Sequence, residues 1–300
     1  MKKRTIGAAI AGLALASQLA FAATSEASET SGAPRISGTD SKFLVIAHRG
    51  FSYAAPENTI PAMTAAADAG ADMVEIDVQR TKDHQLVVLH DKTLFRTTNV
   101  AKVFPTRAHD PVGSFTLAEI KKLDAGSWKS ARFAGTRVPT FGELLAGLDP
   151  TSTGLLLELK NPSLYPGYEK QVAQVLSAHQ FIQNHRVYVH SFSAQSLRAF
   201  HTAAPTVPLG LISNSTPKSL AGDTWMQTFN PLATSVTDTT VDEAQADHLK
   251  VFTWMNKKTP DTAAELEKLS DAGVDGVISN RPDLARAELA SSIPSSASAQ

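Results

Sequence analysis

From residue 42 onward the chain alternates short apolar runs with helical patterns, and this alternation limits the possible folds more than any other feature. The runs fall at 42–47, 73–78, 154–160, 186–191, 208–213, about 232–237, 250–255 and 276–279. Helical patterns occupy 59–69, 141–147, 168–179, 194–203, 217–222, 240–247, 260–272 and 283–290. Thr59 and Thr140 are placed to cap the first two, Pro61 is tolerated in a first turn, and Gly70 stops the first helix. A further run at 86–89 reads as the return arm of a hairpin. Eight parallel strands then remain, each with a helix after it, which predicts an α/β fold closed as a (β/α)8 TIM barrel. An open doubly wound sheet is the alternative. It is disfavoured because no Gly-rich phosphate loop follows the first run and polar run ends are spread along the whole chain. The irregular stretch at about 91–140, after the His90 run, reads as a small insertion whose aromatics (Phe95, Phe104, Phe115, Trp128, Phe133) form a core of their own, with a lid as the alternative.

The densest chemistry lies at 75–91, EIDVQRTKDHQLVVLHD. Side chains alternate across a strand, so Glu75 and Asp77 share one face while Val74, Ile76 and Val78 take the other. A turn about Lys82-Asp83 would set residue 75 opposite residue 90. Alternation of acidic with apolar residues also describes an ordinary surface strand; the polar groups at the later run ends argue against that reading.

The flanks read differently. Lys2-Lys3-Arg4, an apolar stretch at 6–20 and the A-x-A sequence Ala20-Phe21-Ala22 predict a signal peptide over 1–22, too short and wrongly flanked to span a membrane. A flexible leader is expected over 23–41, the catalytic domain over 42–290 and a flexible tail over 291–300. The protein is therefore expected to be secreted or periplasmic, with no transmembrane segment in the mature chain. With no cysteine at the cut, lipid attachment there is excluded. Export removes three of 28 basic residues and none of 29 acidic ones, leaving 25 − 29 = −4. A weakly acidic protein with no basic run is a poor nucleic-acid binder. Zero cysteines also exclude disulfides, thiolate metal sites and Cys nucleophiles.

In a barrel the reactive groups sit at the C-terminal strand ends. Those ends carry His48-Arg49, Glu75 and Asp77, His90, Glu158 and Lys160, His190, and Trp254 with Asn256. Glu158 and Lys160 share a face, with Leu155, Leu157 and Leu159 turned to the helices. Three converging carboxylates form a hard oxygen site suited to Ca2+ or Mg2+. Two imidazoles could serve as general base and acid, and Arg49 and Lys160 would hold an anion. Together these describe phosphate-ester cleavage. A carboxylate pair also suits a glycosidase, but leaves the cations and histidines without a purpose.

His48-Arg49-Gly50, Pro56-Glu57-Asn58-Thr59, Glu75-x-Asp77 with His90-Asp91, Leu157-Glu158-Leu159-Lys160, Thr253-Trp254-x-Asn256 and Gly273-Val274-Asp275-Gly276 with Arg281-Pro282-Asp283 resemble the glycerophosphodiester phosphodiesterase family. The likeness runs from about residue 43 to 284, and Asp124-Ala125-Gly126-Ser127-Trp128 resembles that family's small insertion. The resemblance implies a metal-dependent barrel that releases sn-glycerol 3-phosphate and an alcohol from a small-molecule glycerophosphodiester. It implies His48 and His90 as the acid–base pair, and Glu75, Asp77 and Glu158 as ligands of one divalent cation, Ca2+ or Mg2+. Arg49 and Lys160 are the implied phosphate contacts, and Trp254 is placed to line the substrate pocket. Glu57 is expected to brace Arg49 or the loop, and Asp91 to orient a neighbour or the metal shell. His84, His190 and Asn280 stand where the family usually has Gly, Gln and Asp; the latter two are read as not touching the catalytic set, His190 as a hydrogen-bonded core histidine, with joining the site as its alternative. The alternative within the superfamily is a phospholipase D-like lyase acting on sphingomyelin or lysophospholipids. A non-catalytic binding protein on the same barrel would have lost part of the polar set, and none is missing.

Overall fold

The computed structural model describes residues 43–215, 225–256 and 261–292. The proposed signal peptide and leader lie outside these residues, as do the expected helix at 217–222 and residues 293–300 of the expected tail. Strands β1 (Leu44–Ala47), β2 (Met73–Arg80), β3 (Leu86–Val88), β4 (Gly154–Leu159), β5 (Val187–Ser191), β6 (Leu209–Ser213), β7 (Thr228–Pro231), β8 (Lys250–Trp254) and β9 (Gly276–Ser279) form one sheet. Eight of them pair in parallel in the order β1-β2-β4-β5-β6-β7-β8-β9 and close through β9–β1; β3 pairs antiparallel on β2. This is the expected (β/α)8 barrel.

Helices α1 (Ile60–Asp68), α4 (Phe141–Leu148), α5 (Tyr168–Ala178), α6 (Ala194–Ala203), α7 (Asp238–Ala246), α8 (Ala263–Asp271) and α9 (Pro282–Ser292) surround it, with α2 (Val100–Val103) and α3 (Leu117–Ile120) in the insertion. None of the described helices is long and apolar enough to cross a membrane. Thr140 caps α4 reciprocally with Glu143, as its position suggested. Thr59 stands at the start of α1, yet its hydroxyl donates to the Pro56 carbonyl (2.6 Å) and caps no amide.

Two expectations need correction. The seventh strand is Thr228–Pro231, not 232–237, where Ala233–Ser235 form a 3-10 turn. Its inward residues Thr228 and Asn230 are polar, so the strand has no apolar run to reveal it, and Pro231 ends it without needing to donate. The hairpin is also offset by one residue. Val78 pairs with Val88 and the Leu89 amide donates to the Asp77 carbonyl, so residue 77 faces 89 and 90 does not face 75. The turn is a three-residue loop with His84 left-handed at φ 60°, where glycine is usual.

The outward strand residues, among them Val74, Ile76, Leu155 and Leu157, pack against the helices. The insertion has its own core of Leu94, Val100, Val112, Phe115, Ile120 and Leu123, with Phe104 against it. The expected aromatic core is thus corrected for three of its five members: Phe95 and Trp128 are 46% and 38% exposed, and Phe133 packs on the main core. Inside the barrel an apolar floor is formed by Ile46, Met73, Leu156, Tyr188, Phe252 and Ile278. That floor keeps water out from below, so anything polar above it opens only at the C-terminal mouth.

Candidate active site

Two residues further along five of these strands, the same inward orientation presents His48, Glu75, Glu158, His190 and Trp254, all around one pocket. The sixth floor residue, Ile278, leads by the same step to Asn280, which bonds His48. The chain reverses at Arg49 (φ 55°) and Gly50 (φ 75°), both left-handed. A Cβ on Gly50 would come within 2.7 Å of the Ala62 backbone, so only glycine lets this turn pack on α1. The reversal aims the Arg49 amide at Glu75 Oε2 (2.8 Å).

The carboxylates divide into two kinds. Asp77 is fully buried and surrounded by donors: Asn58 Nδ2 at 2.8 Å, Lys160 Nζ at 3.2 Å and Arg49 Nε at 3.7 Å. Burial alone would raise its pKa, but Lys160 and Arg49 hold it well below the carboxylate range. Glu75 is pushed up to about 8, first by burial and then by Asp77. Glu158 is raised for the same two reasons although Lys160 Nζ bonds both its oxygens at 2.9 Å. When ionised, Glu75 and Glu158 are therefore under-compensated by the cations around them.

His190 adjoins these two carboxylates. Its Nε2 lies 3.8 Å from Glu75 Oε1, is buried, and has no hydrogen-bond partner. Ligand atoms of Glu75, Glu158 and His190 all fall within 4.8 Å of one another. Under-compensated buried carboxylates beside an unpartnered ring nitrogen fit a divalent cation. Sequence reasoning set His190 aside as a core histidine. It is hydrogen-bonded, to Asn230 at 3.0 Å, but it also lines the pocket.

The two candidate acid–base histidines are each anchored at Nδ1, leaving Nε2 for chemistry. His48 Nδ1 meets Asn280 Oδ1 at 2.9 Å, and Nε2 sits 4.0 Å from Glu75 Oε2. Burial, then Arg49, pushes its pKa down to about 3, so its ring is neutral near pH 7. Asn280 is fixed in turn by Asp261 and Ser52. The expectation that Asn280 lies outside the catalytic set is thus corrected: an amide oxygen accepts from the imidazole there as a carboxylate would. His90 Nδ1 meets Asp91 Oδ1 at 2.7 Å. Asp91, which burial would raise, is held low by His90 and Arg96.

Arg96 was not legible in the sequence. It forks between Asp91 and Glu57, and Glu57 also accepts from Arg49 Nη1 at 2.8 Å. A continuous charge-assisted chain therefore runs His90–Asp91–Arg96–Glu57–Arg49 and ties the insertion to the first strand. Asn58 is the other omission. Left-handed at φ 58°, it clamps Asp77 at both the carboxylate and the amide. Its place in Pro56-Glu57-Asn58-Thr59 marked the motif but not this contact.

The pocket has a volume of about 100 Å3, walled on its apolar side by Phe192, Ile212, Trp254 and Ile278. Trp254 meets Phe192 edge-on at 6.2 Å and donates its Nε1–H to the Ser213 carbonyl. Glu158, Lys160 and Phe192 also border an open groove of about 750 Å3 between the starts of α5 and α6.

Residues 48–284 match the model of the glycerophosphoryl diester phosphodiesterase family. A glycerophosphodiester phosphodiesterase of Caldanaerobacter subterraneus subsp. tengcongensis is 37% identical over 246 residues, covering 81% of this chain and 96% of that protein. The crystal structure of a glycerophosphodiester phosphodiesterase from Agrobacterium tumefaciens aligns with a TM-score of 0.69 at 28% identity, over 82% of this chain and 99% of that one. A phosphodiesterase of Oleispira antarctica, solved in complex with the product sn-glycerol-3-phosphate, aligns at 0.71 and 27% identity, over 82% and 96%. Fold, mouth residues and sequence agree: the chain belongs to the glycerophosphoryl diester phosphodiesterase family.

Proposed function

We propose that this chain is an exported, metal-dependent phosphodiesterase that cleaves glycerophosphodiesters to sn-glycerol 3-phosphate and an alcohol. One observation carries the reading: His48 and His90 border the same small pocket as two buried carboxylates and two cations, Arg49 and Lys160. Glu75, Asp77 and Glu158 would hold the divalent cation, which when bound supplies Lewis-acid stabilisation of charge on the phosphoryl oxygens. Arg49 and Lys160 bind the phosphodiester anion, Arg49 preset by Glu57. A glycerol hydroxyl attacks phosphorus while one histidine takes its proton at Nε2. The P–O bond to the alcohol breaks as the other histidine delivers a proton to the leaving oxygen. Water then opens the cyclic phosphate, with the histidines exchanging roles. Trp254 and Phe192 pack the glycerol carbons, and the groove beside Lys160 has room for the departing alcohol.

The test is hydrolysis of glycerophosphocholine, followed by release of glycerol 3-phosphate, with and without EDTA and beside lysophosphatidylcholine and sphingomyelin. Turnover of the first substrate that EDTA abolishes is expected. Cleavage confined to the two lipids would overturn the reading in favour of the lyase.

A further inference from the structure

We propose that His190 is a ligand of the divalent cation through Nε2, and that this nitrogen turns the site from Ca2+ toward a later transition ion such as Co2+ or Zn2+. The inference rests on the metal-binding reading of Glu75 and Glu158 given above, and goes beyond it in naming a fourth donor and a class of ion.

Three observations support it. The imidazole is 3% exposed and its Nε2 has no hydrogen-bond partner, although it faces two carboxylates. Its geometry with Glu75 and Glu158 is that of a ligand set, with all three atoms within 4.8 Å. Finally, the other ring nitrogen lies 3.0 Å from Asn230 Nδ2, and a half-turn of that amide would present Oδ1 to accept its N–H, as the far nitrogen of a metal-bound histidine generally requires.

Asn230 is itself built into place. His190 lies beside Gly210 in the sheet, and Gly210 beside Thr228. A Cβ at Gly210 would stand 3.0 Å from Asn230 Oδ1 and 2.0 Å from Thr228 Oγ1, so a glycine is needed for both side chains to cross the barrel. An amide offers oxygen or nitrogen by a half-turn. With Oδ1 turned to accept from Nδ1–H, the lone pair of His190 is fixed on Nε2, toward Glu75. That half-turn gives Asn230 Oδ1, buried and unbonded, the partner that Nδ2 now has.

The choice of ion follows from donor type. Oxygen-only sets suit Ca2+ and Mg2+, whereas imidazole favours the later first-row ions. One nitrogen among carboxylates is a mixed set, tolerant of Mn2+ and favourable to Co2+ and Zn2+.

Mn2+ bound to the whole mature protein gives the test. Electron spin-echo envelope modulation should show a directly bound nitrogen in the wild type, and growth on 15N-histidine should change it. The signal should vanish in His190→Gln and persist in His48→Gln. By calorimetry, His190→Gln should weaken Co2+ binding roughly 10–100-fold and Ca2+ binding far less. The wild-type spectrum needs no variant, so a poorly folding mutant would not spare the proposal. Metal bound without nitrogen modulation, or a signal lost with His48 and kept without His190, overturns this inference alone. Failure to bind any divalent ion overturns it together with the metal dependence proposed above.

Discussion

Replacing Glu75 with Gln should stabilise the metal-free protein at neutral and alkaline pH while removing its activity. Glu75 has an ordinary pKa of 4.5 in the unfolded chain and is pushed up to about 8 when folded, by burial and by Asp77. The folded state therefore holds a proton that the unfolded state has released, and stability falls as pH rises from the lower value through the higher one. Below about pH 6.5 this is masked. His48 and His190 are both pushed from 6.5 to about 3, chiefly by burial, and each adds stability as pH rises to the unfolded value. Above about pH 6.5 the histidines are neutral in both states, and the buried carboxylates dominate. One group contributes about 1.4 kcal/mol per pH unit, so Glu75 should cost the wild type about 1.5–2 kcal/mol between pH 6.5 and 8.

Gln keeps the volume and the oxygen that accepts from the Arg49 amide, so the charge is the main thing lost. Urea unfolding in EDTA at the two pH values measures it. The stability advantage of Glu75→Gln should widen by about 1.5–2 kcal/mol at the higher pH. A divalent ion at 100 times its Kd should restore about 2.7 kcal/mol to the wild type and less to the variant. A gap that stays constant across the window, or a variant less stable at pH 8, would refute the claim that uncompensated charge at Glu75 is held in place for a cation.

Three further outcomes follow from particular contacts. Asp91→Asn should lower kcat roughly 10²-fold or more without unfolding the protein, because it weakens the anchor that holds the half-buried His90 ring; an unchanged steady-state rate would separate Asp91 from the acid–base machinery. His84→Gly should raise stability by about 0.5–1 kcal/mol in thermal unfolding, since the left-handed turn position no longer carries a Cβ, with kcat/KM unchanged; a lowered Tm would show that His84 has a packing role. Expressed with its full N-terminus, the protein should be recovered outside the cytoplasm beginning at Ala23, and N-terminal sequencing that finds Met1 or Lys2 would remove the signal peptide.

Much of the site could be read in advance because its chemistry is local to strand ends. Glu75 and Asp77 differ by two positions on one strand, and period two alone puts them on one face. Glu158 and Lys160 obey the same rule. What could not be read depends on contacts between strands far apart in sequence. His48 and Asn280 are 232 residues apart, and His190 and Asn230 are 40 apart; nothing in either neighbourhood announces the partner. Arg96 lies in the insertion, which has no periodicity to place it. The seventh strand was misplaced because its inward positions are polar, so the apolar pattern that locates the other strands is missing where the barrel interior needs hydrogen bonds.

That failure shows why this mouth is polar. The floor residues Ile46, Met73, Leu156, Tyr188, Phe252 and Ile278 point inward. Two residues on from each stand His48, Glu75, Glu158, His190, Trp254 and Asn280. Inward residues form layers, so at these six of the eight barrel strands one step of two positions leads from the apolar floor to the reactive mouth. The apolar layer excludes water from beneath, which is what raises Glu75 and Glu158 and keeps His48 and His190 neutral. Asn280 and His190 are then members of that layer by position, whatever residue type occupies them. A sequence search for polar residues two positions beyond the inward apolar ones would have found both, though not Asn230, which follows the polar Thr228. The perturbed ionisation of the site thus follows from the floor below it: opening the floor to water, for example by Phe252→Ala, should return Glu75 toward its ordinary range and weaken the cation's hold before any ligand is touched.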